Sequence, residues 1–244
     1  MRLARVVLCV VAVLAFSILS KGETSDTVRT ALMIEIDGAI GPATARQVKD
    51  GLATAHERNA EVVILRLNTP GGLATSMREI IADILASPVP VIGYVAPAGG
   101  HAASAGTYIL YATHVAAMAP GTNIGAATPV EIRTPFPGLS GGGDEKSNEK
   151  PATPPAPDTL SMKANDAVAL IRSLAELRGR NADWGEKAVR EAASLSAHAA
   201  LDQRAIDLMA NDTAALLQAI DGRNVTTTTG PRNLATRGLT VETI

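Results

Sequence analysis

Between Ala31 and Met118 the chain repeats one rhythm: a short continuous apolar run, a small-residue turn, then a stretch with apolar residues at helical spacing. The clearest run is Val62-Val63-Ile64-Leu65 with Leu67, β-branched and apolar at odd and even positions alike. A strand apolar on both faces needs cover on both, the condition of a central strand in a parallel sheet flanked by helices. Ala31-Leu32-Met33-Ile34-Glu35-Ile36, Val89 to Val95 and Val115 to Met118 read as its neighbours. Val48, Leu52 and Ala55 mark a helix through Ala43 to His56. Leu73, Met77, Ile80, Ile81, Ile84 and Leu85 line another that stops before Pro88, and Ser104 to Thr113 reads as a third. Repeated βαβ units of this kind predict an α/β fold around a parallel sheet.

The rhythm breaks at Thr134. From there to Asp158 the chain carries six prolines, the run Gly141-Gly142-Gly143 and the charged segment Asp144-Glu145-Lys146, with little that could enter a core. This composition predicts a flexible, Pro/Gly-rich insertion over 134–158. Periodicity returns with Val168, Ile171, Leu174 and Leu177 in a helix ending near Gly179, then a helix from about Asp183 to Ala193. Ser196 is placed to cap a short helix through Leu201. Ala205 to Met209 reads as a strand, Thr213 to Ile220 as a last helix, and the threonine-rich residues 223–244 as an extended tail. At the other end, two arginines in Met1-Arg2-Leu3-Ala4-Arg5 precede an apolar stretch to Leu19 and then polar residues. That order is the layout of a secretory signal or retained anchor over residues 1–22, and predicts export. The expected organisation is therefore a leader, one α/β domain over 29–222, and the tail.

Composition removes several functions. A net charge of −2 leaves no basic field to grip a phosphate backbone, and aromatics at 2% are too few for base stacking, so nucleic acid is not an expected partner. The single cysteine, Cys9, excludes a disulfide framework within the chain and a Cys-based zinc cluster. His56, His101, His114 and His198 show no metal-ligand spacing, and neither a metal nor a cofactor is expected.

What remains are two small-residue turns after neighbouring strands, Asn68-Thr69-Pro70-Gly71-Gly72 and Gly99-Gly100-His101-Ala102-Ala103-Ser104-Ala105-Gly106. Loops at the carboxyl ends of parallel strands are where ligands bind in such sheets. A helix starting at Ser104 aims free N–H groups and a positive dipole end at developing negative charge, as a nucleophilic serine with an oxyanion site requires. The competing reading is a serine that merely caps the helix. Gly71-Gly72 likewise reads either as an oxyanion donor or as a tight turn with Asn68 or Thr69 capping the next helix. Of the histidines, His101 reads as rimming a cleft, His114 as a surface residue, and His56 and His198 as solvated. Lys163, expected just before the Val168–Leu177 helix, is the remaining candidate base, because a helix N-terminus disfavours the charged form of an amine. Its bland alternative is an ordinary exposed lysine.

Taken together, these stretches resemble the membrane-bound serine protease family called NfeD, within the ClpP and signal-peptide-peptidase-A class. The resemblance rests on Leu65-Arg66-Leu67-Asn68-Thr69-Pro70-Gly71-Gly72, on His101-Ala102-Ala103-Ser104-Ala105-Gly106-Thr107-Tyr108-Ile109, on Met118 to Ala126, and on Asn165-Asp166-Ala167-Val168 through Ala182. It implies a ClpP/crotonase-like α/β fold, a Ser-Lys dyad, a homodimer, and cleavage of hydrophobic segments of membrane-associated proteins, with stomatin-like proteins as substrates. Carried over, Ser104 is the nucleophile, Lys163 the general base, and the oxyanion donors are the N–H groups of Gly71 or Gly72 and of Ala105. The family lysine aligns one residue earlier, at Met162, and about 100° of helix rotation separates the two positions. Family members often continue into membrane helices and a small β-barrel domain that this sequence does not include. The alternatives are a non-catalytic membrane-associated scaffold of the same family and a crotonase-like acyl-CoA enzyme.

Overall fold

The computed structural model describes residues 29–129 and 157–244. The expected leader over 1–22 and most of the expected insertion over 134–158 lie outside the described residues. In chain order the elements are β1 (Thr30–Asp37), α1 (Pro42–Glu57), β2 (Val62–Asn68), α2 (Ala74–Ala86), β3 (Val91–Val95), β4 (His101–Ala102), α3 (Ala105–Ala112), β5 (Val115–Met118) and β6 (Asn123–Gly125). After the undescribed segment come α4 (Pro157–Arg178), α5 (Ala182–Arg190), β7 (Ser194–Ser196), α6 (Ala197–Asp202), β8 (Leu208–Met209), α7 (Thr213–Ile220), β9 (Asn224–Thr227), β10 (Gly230–Asn233) and β11 (Thr240–Thr243).

Six strands form the main sheet in the order β11-β1-β2-β3-β5-β8, every neighbouring pair parallel. Because side chains alternate along a strand, the doubly apolar runs feed two cores. Leu32, Ile34, Val63, Leu65 and Leu67 face the larger one, with Val48 of α1, Ile80 of α2, Ile109 of α3 and Ile171 of α4. Met33, Val62, Ile64, Ile92 and Tyr94 face the other side, beneath Leu216, Leu217 and Ile220 of α7. The register sets Ile34 beside Leu65 and Ile64 beside Ile92.

Several boundaries differ from the sequence expectation. The strand expected from Val89 begins at Val91, and the one expected over Ala205 to Met209 is Leu208–Met209 only. The helix expected from Val168 begins at Pro157, so Lys163 lies inside it. Residues 224–244 are extended but integrated: β9 and β10 form a hairpin, and β11 is an edge strand parallel to β1. A second sheet, β4-β6-β7, was not legible, since strands of two or three residues carry no readable period.

Buried polar contacts lock α3 in place. The Arg180 side chain is 1% exposed; its Nη1 donates to the Leu110 and Tyr111 carbonyls, and its Nη2 pairs with Asp207 at 2.7 Å. The same Asp207 oxygen accepts the Ala116 N–H, tying α3, β5 and the turn before β8 together. His114, expected at the surface, is instead buried, its Nδ1 accepting the Val91 N–H at 3.1 Å. Burial, with Arg178 and Arg180 nearby, pushes the imidazole down to about 3.

Two outcomes follow for stability. Removing the partner of a buried charge leaves it uncompensated, so Asp207→Ala should lower the unfolding free energy by about 3 kcal/mol, read from urea melts. Above its ordinary value of 6.5, His114 is neutral in both states and adds no pH dependence. Below that value the unfolded chain takes up a proton that the fold refuses until about pH 3. Stability therefore falls as pH drops through that window. His114→Asn keeps an acceptor for Val91 without titrating, and should show a smaller loss between pH 7 and pH 4 than the unsubstituted chain.

Candidate active site

The carboxyl ends of β2 and β3 lead into the two small-residue loops, and backbone hydrogen bonds join them. Thr69 N–H donates to the His101 carbonyl at 2.7 Å, and Ala103 N–H donates to the Thr69 carbonyl at 3.0 Å, a parallel bridge centred on Thr69 and Ala102. Asn68 reinforces it: its Oδ1 accepts the His101 N–H, and its Nδ2 donates to Asp37 Oδ1 at 2.9 Å. Neither Asn68 nor Thr69 caps α2, whose cap position is Leu73, with no side-chain bond.

Ser104 follows this bridge directly. It stands at the cap position of α3 with φ +49° and ψ −118°, and its side chain caps nothing. A non-glycine residue at positive φ carries roughly 1–3 kcal/mol of strain, which the surroundings must hold. Here its N–H donates to the Ala126 carbonyl at 2.6 Å and its carbonyl accepts from Thr107 N–H at 3.0 Å. Glycines clear the space: a Cβ on Gly71 would lie 2.5 Å from the Ser104 Cβ, and one on Gly106 2.6 Å from the Thr69 methyl. Strained strand-to-helix turns present a nucleophile in this way. The capping alternative is thus set aside, although no glycine precedes Ser104 at the usual spacing.

Behind Ser104 all of α3 is buried. Its C-terminal carbonyls are taken by cations, Arg180 on Leu110 and Tyr111 and Arg178 Nε on Ala112. Its N-terminal end, the positive one, faces the serine. Among the described residues, neither Ala105 N–H nor Gly72 N–H donates to another protein group. Gly71 differs: it is buried, and its N–H is given to Thr69 Oγ1 at 3.0 Å. Of the two glycines, Gly72 is the one whose N–H is left open.

Ser104, Ala105 and Gly72 line a cavity of about 430 Å³. Its apolar wall comes from Leu73, Ala74 and Met77 of the α2 region, Tyr108 of α3, Ala127 and Pro129, and Ala167 and Leu170 of α4. Lys163 is exposed as a residue yet joins this lining, on one helix stripe with Asp166, Ala167 and Leu170. Met162 does not contribute to it and is 70% exposed. Lys163 lies in the second turn of α4, so the helix-terminus field invoked from sequence does not act on it strongly. Asp166 is held by Arg78 across the cavity in an exposed ion pair. Tyr108 donates to the Ala127 carbonyl at 2.8 Å, and burial raises its phenol further from ionisation. Sequence reasoning missed Arg78, Asp166 and Tyr108 as lining residues, because only packing brings α2, α3 and α4 together. His101 sits partly buried outside the lining, and His56 and His198 are exposed. Among the described residues no helix is long and apolar enough to cross a membrane.

Comparison with known proteins identifies relatives of this chain. The family described as NfeD1b, N-terminal domain, matches residues 30–135. The membrane-bound protease PH1510 of Pyrococcus horikoshii is 38% identical over 188 residues, covering 77% of this chain. Only 39% of that relative's length is covered. The 1510-N membrane-bound stomatin-specific protease, solved as a serine-to-alanine mutant, superposes with a TM-score of 0.74 at 32% identity, over 88% of this chain and 97% of that one. A lysine-to-alanine mutant of 1510-N in complex with a substrate peptide gives 0.74 at 33% identity, over 88% and 92%. The catalytic domain of the ClpP protease from Plasmodium falciparum, 15% identical with a TM-score of 0.52 over 74% of this chain and 86% of that one, shares the fold. At 32% identity over nearly the whole of 1510-N, and with the NfeD1b N-terminal domain matching its first half, the chain belongs to the NfeD and 1510-N family and has the ClpP-like fold.

Proposed function

We propose that this chain is a serine endopeptidase with a Ser-Lys dyad, cleaving hydrophobic segments of membrane-associated proteins. The observation that carries the reading is the convergence of Ser104, Lys163 and two open backbone donors on one largely apolar cavity. In the proposed cycle, neutral Lys163 Nζ accepts the Ser104 proton while Oγ bonds to the peptide carbonyl carbon. The displaced electron pair moves onto the carbonyl oxygen, which the Gly72 and Ala105 N–H groups hold. Collapse breaks the C–N bond, and the lysine proton leaves with the amine. Water, deprotonated by the again neutral Lys163 Nζ, then attacks the acyl-enzyme and breaks the ester bond, and Lys163 passes that proton to the Ser104 oxygen as the acid leaves.

The apolar wall suits extended hydrophobic side chains, and the related 1510-N protease is described as stomatin-specific, so a stomatin-like membrane protein is the proposed substrate. The proposal includes an exported, membrane-associated protein working as a homodimer, with residues 1–22 as its leader and a catalytic domain that runs from residue 29 past the expected boundary at 222 to include β11. The alternative, a scaffold that has lost its base, predicts no reaction at Ser104.

The test is labelling of the full chain by a serine-directed fluorophosphonate. Labelling should map to Ser104, vanish in Ser104→Ala, and slow at least ~100-fold in Lys163→Ala, the scale of a lost general base. Met162→Ala should label normally. Absence of labelling in the unsubstituted chain from pH 6 to pH 10 would favour the scaffold. Because the working form of the amine is uncharged, the labelling rate should also fall as pH is lowered, and that acid limb should disappear in Lys163→Ala.

A further inference from the structure

Thr69 is fully buried, and the proposed chemistry gives it no part. Its hydroxyl nevertheless faces the segment that carries the open donor. Oγ1 accepts the Gly71 N–H at 3.0 Å, while its own backbone N–H and carbonyl bridge to His101 and Ala103. One residue thus holds the donor loop through its side chain and the serine loop through its backbone.

The geometry of the next peptide shows what that hold does. The Gly71 carbonyl accepts from Ile40 N–H at 2.8 Å, and Leu73 N–H donates to the Ile40 carbonyl at 2.9 Å. In a trans peptide, C=O and N–H point opposite ways. Anchoring the Gly71 carbonyl on Ile40 therefore turns the Gly72 N–H away from Ile40, toward the side where Gly72 lines the cavity with Ser104. Retreat is closed off, since a Cβ on Gly72 would lie 2.0 Å from the Ile40 carbonyl oxygen. What remains soft is rotation at Gly71, a glycine at φ +106° whose conformation no side chain restrains. The Thr69 hydroxyl grips the N–H at one end of that rotation, and Ile40 grips the carbonyl at the other.

We propose that Thr69 is a positioning residue for the oxyanion site, aiming the Gly72 N–H by fixing the Gly71 N–H. This rests on the Ser104 peptidase reading above. Thr69 touches neither substrate nor the reacting atoms; it acts through Gly71. A mis-aimed donor weakens binding of the developing oxyanion and leaves ground-state binding of the peptide alone.

The experiment compares Thr69→Val, which keeps the shape and loses the hydroxyl, with Thr69→Ser, which keeps the hydroxyl. Fluorophosphonate acylation of Ser104 should slow about tenfold to a hundredfold in Thr69→Val, with most of the loss recovered in Thr69→Ser. A hydrophobic peptide aldehyde, whose hemiacetal oxygen occupies the oxyanion site, should lose affinity in parallel. The corresponding uncleaved peptide should bind Ser104→Ala and Ser104→Ala/Thr69→Val equally. Unimpaired acylation by Thr69→Val, or equal weakening of the aldehyde and the uncleaved peptide, overturns the assignment. Should Thr69→Val not fold, Thr69→Ser decides: a loss of more than about tenfold there overturns it, since the aiming hydroxyl is still present. No acylation of the unsubstituted chain would instead remove the peptidase reading, and this role with it.

Discussion

The parallel bridge between Thr69 and Ala102 is the contact on which the site depends. Strands β2 and β3 are already neighbours, with Leu67 beside Val95, so their carboxyl ends emerge side by side. Adjacency alone would leave two mobile glycine-rich turns. The Thr69–His101 and Ala103–Thr69 hydrogen bonds extend strand pairing past the sheet and deliver Ser104 to the edge of the donor loop. Small residues are needed there because the backbones approach closely: Gly71 against Ser104 and Gly106 against Thr69 leave no space for a methyl group. The strain at Ser104 persists because bonds on both sides of the residue hold it.

Charge placement supports the same end. Helix α3 is short, apolar and wholly buried, so its terminal carbonyls need partners, and Arg178 and Arg180 supply them from the end of α4. Burial and the neighbouring Arg180 push the Arg178 guanidinium down to about 10, still charged at neutral pH. Asp207 balances Arg180 within the fold. The result is a helix neutralised at its negative end and left open at its positive end, next to the serine. An arrangement of this kind favours negative charge appearing in the cavity and does nothing for a neutral ground state.

Much of the sheet was legible because its signal is local. Runs such as Val62 to Leu67 declare burial on both faces without reference to any other part of the chain, and the βα alternation sets the parallel order. The same reasoning singled out Ser104, Lys163 and the Gly71-Gly72 turn. It failed where a residue's environment is made by distant segments. His114 read as a surface residue because its neighbours in sequence look like a turn, yet it is buried behind β3 with its Nδ1 on Val91. Thr69 was one of two possible caps in one of the two readings of its turn, and is instead the link between loops. Ser104 read equally as a cap because nothing in Ala-Ala-Ser-Ala-Gly reveals its backbone angle.

The sequence by itself determined the class of fold, the two turns facing one end of the sheet, and the residues proposed as nucleophile and base, since periodicity and side-chain chemistry are carried by neighbours along the chain. Tertiary structure alone decided which of two adjacent glycines keeps an open N–H, that Lys163 rather than Met162 lines the cavity, and that Ser104 is held at positive φ. Those choices turn on approaches of a few ångströms between segments remote in sequence, where steric exclusion and single hydrogen bonds select among conformations that local propensity leaves nearly equal.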